Sequence, residues 1–128
     1  MKKLVLLCVI FLFILTISGC IPKIFTITKE DIKDVIIWTH TDSRALTKDE
    51  ITEFIRLYNL SLYGNKITGE GGTPDFGLRF TLIKNNKTIS INDCYGKIEP
   101  IGNDNANRYI ESKELYDFIK ILSETIQK

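Results

Sequence analysis

The sequence is poor in the residues that most often carry catalysis, metal binding and cross-linking. Its 128 residues include a single histidine, His40, and three cysteines, Cys8, Cys20 and Cys94. Its three prolines and eight glycines do not form a flexible linker. No set of histidines and cysteines has the spacing of a zinc site. We therefore expect no metal, no cofactor and no internal disulfide framework.

A strong charge of one sign is also missing. The chain has 17 basic residues (Lys and Arg) and 16 acidic residues (Asp and Glu). Domains that bind nucleic acid usually carry a basic excess gathered on one face, and the sequence shows no such face. We therefore expect no nucleic-acid partner.

The longest apolar run is too short to span a bilayer. It covers residues 4–17, follows two lysines, and falls short of the ~20 residues that cross about 30 Å of hydrocarbon. The small residues Ser18 and Gly19 come next, directly before Cys20. A positive start, a short apolar segment and small residues at a cleavage point are typical of a secretory signal peptide. We predict that residues 1–19 are removed on export.

The sequence Ile17-Ser18-Gly19-Cys20 resembles the lipobox of bacterial lipoproteins, in which an aliphatic residue and two small residues precede a cysteine. This resemblance implies cleavage by signal peptidase between Gly19 and Cys20, and an S-diacylglyceryl group on Cys20. It leaves open whether the new amine of Cys20 is acylated as well. Two acyl chains give stable attachment, here to the extracytoplasmic face of the cell membrane. The alternatives are an ordinary cleaved signal peptide and an uncleaved anchor with a chance cysteine.

The remaining chain is long enough for one small domain and not for two. We predict a lipidated cysteine and short tether at 20–30 and a globular domain at 31–128. Because two lysines leave with residues 1–19, 15 basic residues then face 16 acidic ones. Cys94 stays single, which predicts a partly buried small apolar side chain.

Hydrophobic periodicity predicts two amphipathic helices. The first begins with a capping box, in which Thr47 and Glu50 exchange hydrogen bonds between side chain and backbone. Its apolar stripe runs to Leu62 and a left-handed stop is expected at Gly64-Asn65. The second helix begins after Ser112 and repeats apolar residues at spacings of three and four.

The other segments predict an antiparallel sheet of four or five strands. Strands are expected at 34–41, 76–83 and 88–92, and shorter ones near 96–101 and 108–111. A two-residue turn at Asn85-Asn86 joins the second and third of these. The fold class is therefore α+β, after a cleaved signal peptide, with both helices packed on one face of the sheet.

Three local patterns suggest chemistry, but each is better interpreted as a loop. His40, Asp42 and Ser43 have the residue types of a hydrolase triad, whose members normally converge from separate elements. The segment Asn103–Asn107 resembles a calcium loop, but it has arginine where that loop needs glycine. The glycines of the segment Gly69–Gly72 lack the ending of a phosphate-binding loop. We predict no catalytic residue and no enzyme.

Large aromatic residues are the remaining candidates for contact with a partner, since Tyr and Trp are favoured at interfaces. Most are expected in the core, and one or two at the surface. The residues concerned are Trp38, Tyr58, Tyr63, Tyr95 and Tyr109.

Beyond its lipobox, the chain is similar to small one-domain lipoproteins of Gram-positive bacteria. The capped helix from Thr47, the hairpin at 76–93 and the approach at 109–112 to the last helix carry this resemblance, which transfers no catalytic residue. We predict a non-enzymatic interaction module with a cell-surface or extracellular protein partner. One alternative, by analogy, is a surface-exclusion or inhibitory lipoprotein of a conjugative element. An accessory ligand-binding protein is less favoured, because two-lobed receptors need a longer chain.

Overall fold

The computed structural model describes residue 3 and residues 24–68, 72–102 and 107–126. The predicted cleavage and lipidation site at Gly19 and Cys20 lies outside these residues. So do Gly69, Gly71 and most of the polar segment at 103–107.

The described residues form seven strands and two helices in one antiparallel sheet domain. The spatial order of the strands is β2-β1-β4-β5-β6-β7-β3. A short 3₁₀ turn, Lys29–Asp31, leads into the first strand. The elements in chain order are β1 Ile32–Thr39, β2 Ser43–Ala45, α1 Lys48–Leu60, β3 Leu62–Lys66, β4 Phe76–Leu82, β5 Thr88–Cys94, β6 Lys97–Ile101, β7 Arg108–Glu111 and α2 Lys113–Ile126.

The α+β class holds broadly, but the predicted sheet of four or five strands is wrong. The structure has seven strands, and the strand residues outnumber those of the two helices. The five predicted strands correspond to β1, β4, β5, β6 and β7, and the two missed strands, β2 and β3, form the two edges of the sheet. Edge strands pair on one side only and can be short, which leaves them a weak periodic signal.

Strand β3 was not predicted from the sequence, because the apolar stripe that predicts α1 continues to Leu62, the first residue of this strand. The helix ends at Leu60, where Ser61 turns into extended backbone (φ −77°, ψ 156°) and donates its hydroxyl to the Leu57 carbonyl at 2.7 Å. The next residues pair with β7, with Leu62 opposite Glu111. The expected stop at Gly64 is therefore wrong, because an available sheet edge outweighs a weak local helical preference.

The predicted start of α1 is confirmed. The Glu50 backbone N–H donates to the Thr47 hydroxyl at 3.3 Å, and the Thr47 N–H donates to the Glu50 carboxylate at 2.8 Å. Arg44 on β2 also donates to both oxygens of that carboxylate, at 2.8 Å each. One side chain thus ties the helix start to the edge of the sheet.

Both helices cover the same face of the sheet. The ring of Phe80 on β4 lies 5.4 Å from that of Phe54 and 5.5 Å from that of Tyr58, both on α1. On α2, the Tyr116 ring lies 5.9 Å from the ring of Phe76, which points to the same side as Phe80. The buried side chains of both helices and of this sheet face form one hydrophobic core.

The core also includes residues upstream of the first strand. Ile24 and Ile27 are buried in it. The Ile27 N–H donates to the Asn59 side-chain oxygen at 2.8 Å, and the Asn59 amide donates back to the Ile27 carbonyl at 2.8 Å. Packing against the domain therefore begins within the segment that the sequence predicted to be a tether.

Candidate interaction surface

No hydrogen bond joins the side chains of His40, Asp42 and Ser43 to one another in the described part of the chain. His40 Nε2 lies 3.3 Å from Asp75 Oδ1, on the loop before β4, and both side chains are exposed. The Asp42 carbonyl accepts the Thr39 N–H at 2.8 Å, which closes the turn after β1. His40 and Asp42 therefore lie in the surface turn between β1 and β2, and Ser43 is the first residue of β2.

The face of the sheet opposite the helices has one tightly packed spot. Gly77 on β4 lies between Trp38 on β1 and Asn92 on β5, its partners in the two ladders. A Cβ on Gly77 would come within 2.4 Å of the Asn92 side-chain oxygen and 2.7 Å of the Trp38 ring. Glycine is thus required here because the indole lies across the strand.

A cleft lies beside the pairing of β6 with β7. These strands share a single register pair, Ile98 with Ile110, and both residues line the cleft. The space holds about 290 Å³. Its walls are the β5–β6 turn, one end of β3 and the start of α2, and we call it the β6–β7 cleft. The lining residues are Gly64, Asn65, Gly96, Lys97, Ile98, Tyr109, Ile110, Glu111, Ser112, Lys113 and Tyr116.

Charged groups of both signs and a hydroxyl group line the β6–β7 cleft. Lys97 places its ammonium group 5.1 Å from the centre of the Tyr109 ring, a cation–π arrangement. Lys113 pairs with Asp117 one helical turn further along α2, and Glu111 supplies a carboxylate. The Ser112 hydroxyl caps α2 by accepting the Leu115 N–H at 3.1 Å.

Tyr109 connects the cleft to Cys94 on the open face. The Cys94 sulfur is buried and lies 4.0 Å from the Tyr109 hydroxyl. Desolvation, and then the contact with Cys94, raises the pKa of Tyr109. This placement agrees with the expectation that Cys94 acts as a small packed side chain.

Asp93 holds two walls of the cleft together. One of its carboxylate oxygens accepts the Tyr116 hydroxyl at 3.0 Å and the Gly96 N–H at 3.2 Å. Burial, followed by this hydrogen bond to Asp93, raises the pKa of Tyr116 to about 12. The phenol is therefore a neutral donor at physiological pH, and it fixes the β5–β6 turn relative to α2.

Tyr95 projects from the tip of that turn. Its side chain is 82% exposed, while its backbone is left-handed at φ +51°. Gly96 follows at φ +79°, and Cys94 pairs with Lys97 across the turn. Such two-residue turns strongly favour Asn, Asp or Gly, because both central residues need positive φ. A bulky residue in this conformation is an outlier that costs free energy.

The five aromatic residues singled out in the sequence separate into two groups. Tyr58 and Tyr63 are buried in the core, whereas Tyr95 is exposed and Trp38 and Tyr109 are half-buried on the open side of the sheet. Sequence reasoning did not predict the cleft, because its lining residues come from β3, the β5–β6 turn, β7 and α2. The Tyr-Gly pair between two strands was the one local signal for the exposed turn.

Among the described residues, no group of three or more His, Cys, Asp or Glu side chains could hold a metal ion. Within the same residues, no helix has both the length and the apolar character that are needed to cross a bilayer. Comparison of the chain with models of known protein families, with curated proteins and with solved structures found no match.

Proposed function

We propose that this protein is a membrane-anchored extracytoplasmic lipoprotein that acts as a non-enzymatic protein-interaction module. In this proposal Cys20 carries the lipid, and the β6–β7 cleft with Tyr95 at its edge contacts a cell-surface or extracellular protein.

The conformation of Tyr95 is the single observation that carries the binding part of this proposal. Strained backbone that persists in a fold is concentrated at functional positions. Here the strain presents a nearly fully exposed tyrosine, although Asn or Gly would suit the turn better. Tyrosine is also enriched among the residues that dominate binding energy at interfaces.

The cleft has a size and chemistry that suit a short segment of a protein partner. Its volume of about 290 Å³ lies at the lower end of the range for small-molecule sites. The tyrosine hydroxyls, the lysines and Glu111 can pair with backbone and charged groups of either sign. The ring faces of Tyr109 and Tyr95 supply apolar contact area.

Crosslinking on intact cells tests the binding part, with one variant that removes the aromatic ring and relaxes the turn. In Tyr95→Asn, we expect the crosslinked partner to be lost or strongly reduced. The same change should raise the free energy of unfolding by about 1 kcal/mol, because asparagine tolerates positive φ. The matched control is Ile83→Asn, an equally polar change at an exposed residue in the β4–β5 connection, at the other end of the sheet.

A partner captured equally well by the wild type, Tyr95→Asn and Ile83→Asn would contradict this assignment of the surface. A partner lost from both variants would point to general damage instead of loss of a specific contact.

Fatty-acid labelling tests the anchoring part separately. The wild type should incorporate labelled palmitate and lose residues 1–19, whereas Cys20→Ala should do neither. Cys94→Ala is the control, because it removes the other cysteine downstream of the predicted cleavage point and should leave labelling unchanged. Labelling that persists in Cys20→Ala would disprove lipidation at this residue.

A further inference from the structure

The route by which the chain enters the fold restricts how the domain can lie relative to a membrane. Ile24 is buried, and Ile27 is fixed by two hydrogen bonds of 2.8 Å to the side chain of Asn59. Asn59 belongs to the last turn of α1. The segment from Ile24 to Ile27 is therefore held against the C-terminal end of this helix.

Only three residues, at positions 21–23, separate Cys20 from the buried Ile24. Four successive Cα–Cα steps can span at most about 14 Å even when fully extended. If Cys20 carries acyl chains that are inserted in a bilayer, the surface around Ile24 must lie close to that bilayer. This step rests on the proposed lipidation of Cys20.

Three exposed apolar side chains belong to the segments that meet at this end of α1. Phe25 is 43% exposed and its ring meets that of Tyr58 edge-on, with centroids 6.3 Å apart. Leu60, in the last turn of α1, is 69% exposed, and Leu62 is 50% exposed. These three, which we call the entry patch, are among seven large apolar side chains that are exposed in the described part of the chain.

We propose that the entry patch rests on the bilayer that holds Cys20, with Leu60 and Phe25 at the boundary between head groups and acyl chains. Apolar side chains gain free energy when they leave water at this boundary. The lipid anchor keeps them at high effective concentration, so contacts too weak to hold a free domain suffice to orient a tethered one. Leu62 is the register partner of Glu111 in the cleft wall, so the β6–β7 cleft opens near the membrane surface.

Tryptophan fluorescence in vesicles tests this orientation. Full-length protein is expressed in a lipoprotein-processing bacterium and carries Trp38→Phe together with Leu60→Trp. The purified, processed protein is placed in vesicles of equal parts phosphatidylcholine and phosphatidylglycerol, with bromine on the acyl chains as a quencher. We expect loss of emission relative to unbrominated vesicles. In unbrominated vesicles the emission should lie at shorter wavelength than that of a tryptophan in water, and both effects should persist at high salt because the contact is apolar.

The matched control carries Trp38→Phe with Ile121→Trp. Ile121 is an exposed apolar residue on α2, one turn before Thr125, whose hydroxyl accepts from Arg44 near the start of α1. The chain enters at the other end of α1, so this tryptophan should keep full emission. Unfolding curves of both variants establish that each is folded.

Two readouts separate the outcomes. Mass spectrometry that finds fatty acid on Cys20, combined with no quenching at position 60, would overturn the orientation and leave the anchoring proposal standing. Equal quenching at positions 60 and 121 would overturn it as well, since no one face would then be preferred. Absence of fatty acid from Cys20 would overturn both proposals, and mass spectrometry alone would reveal it.

Discussion

The two faces of the sheet are made by the same strands but have different roles. On the helix-covered face, the alternating residues of β1, β4 and β5 are buried almost completely, with Val35, Leu78 and Ile89 no more than 1% exposed. On the open face, the intervening residues are mostly half-buried or exposed, as for Ile36 and Arg79. Because burial of apolar surface dominates folding, most of the stability should come from one face. The other face is free to carry residues that stability does not require.

This division has an exception at Gly77, on the open face. The Trp38 ring lies over it, and the neighbouring Asn92 side-chain oxygen is buried without a hydrogen-bond partner among the described residues. Buried polar atoms without partners are uncommon in folded proteins. The open face therefore includes one spot that is packed as closely as a core.

Two neighbouring residues of β4 allow the contributions of the two sheet faces to stability to be compared, and the largest effect is expected here. Phe80→Ala removes a ring that contacts Phe54 and Tyr58, and should lower the free energy of unfolding by about 3 to 5 kcal/mol. Arg79→Ala, on the open face, should change it by no more than about 0.5 kcal/mol. Chemical denaturation measures both. Similar losses in the two variants would mean that the open face contributes to the core after all.

Gly77→Ala tests the exception and should have the next largest effect. The added methyl group would overlap the Asn92 side chain and the Trp38 ring, and overpacking of this kind costs about 1 to 3 kcal/mol. A matched change is Ser90→Ala, also on the open face and partly exposed, which should have little effect. If Gly77→Ala unfolds at the same denaturant concentration as the wild type, the indole does not lie across this strand.

The helices and strands that form the helix-covered face could be predicted from the sequence, because local sequence patterns indicate them. The stripe through Phe54 and Tyr58, the alternation from Phe76 to Leu82 and the capping box at Thr47 all indicate their elements without tertiary information. The expected two-residue turn at Asn85-Asn86 was only partly right. Asn86 has positive φ (+53°), but Leu82 pairs with Lys87, so the connection is longer.

The edges and the candidate surface could not be predicted in the same way. The three residues of β2 are too few to show a period of two, and β3 pairs with a strand more than forty positions away, at Arg108–Glu111. The cleft is lined by residues far apart in the sequence, from Gly64 on β3 to Tyr116 on α2. Such features depend on long-range pairing, which a single sequence does not display.

The pairing of Glu50 with Arg44 at the start of α1 should make the stability of the fold depend on pH. The hydrogen bonds from Arg44, assisted by the backbone of Thr47, lower the pKa of Glu50 from 4.5 to about 2. A carboxylate whose pKa is lower in the folded state stabilises the fold above its unfolded pKa. This contribution should be complete above pH 4.5 and should disappear as the pH falls toward 2.

The variant Glu50→Gln should lose about 1 to 2 kcal/mol at neutral pH and show a flatter stability profile between pH 5 and 2. Glutamine can still bond the Thr47 N–H as part of a capping box, so the loss reports mainly the pairing with Arg44, reduced by its partial exposure to solvent. Glu53→Gln is the control, because Glu53 pairs with Arg56 on the exposed side of the same helix. A pH profile in Glu50→Gln as steep as that of the wild type would assign the acid sensitivity to another carboxylate.

The substitution with the smallest expected effect is Tyr58→Phe, on the helix-covered face, and it is not expected to lower stability. Tyr58 is fully buried, burial raises its pKa, and its hydroxyl has no hydrogen-bond partner among the described residues. Because an unpaired buried hydroxyl is unfavourable, Tyr58→Phe should leave stability unchanged or raise it by up to about 1 kcal/mol. Tyr116→Phe is the matched change, since it removes a hydroxyl that does bond to Asp93, and it should cost about 1 kcal/mol. The melting temperature should therefore fall in Tyr116→Phe and stay the same or rise in Tyr58→Phe. A loss of stability in Tyr58→Phe would mean that the buried hydroxyl is paired in solution.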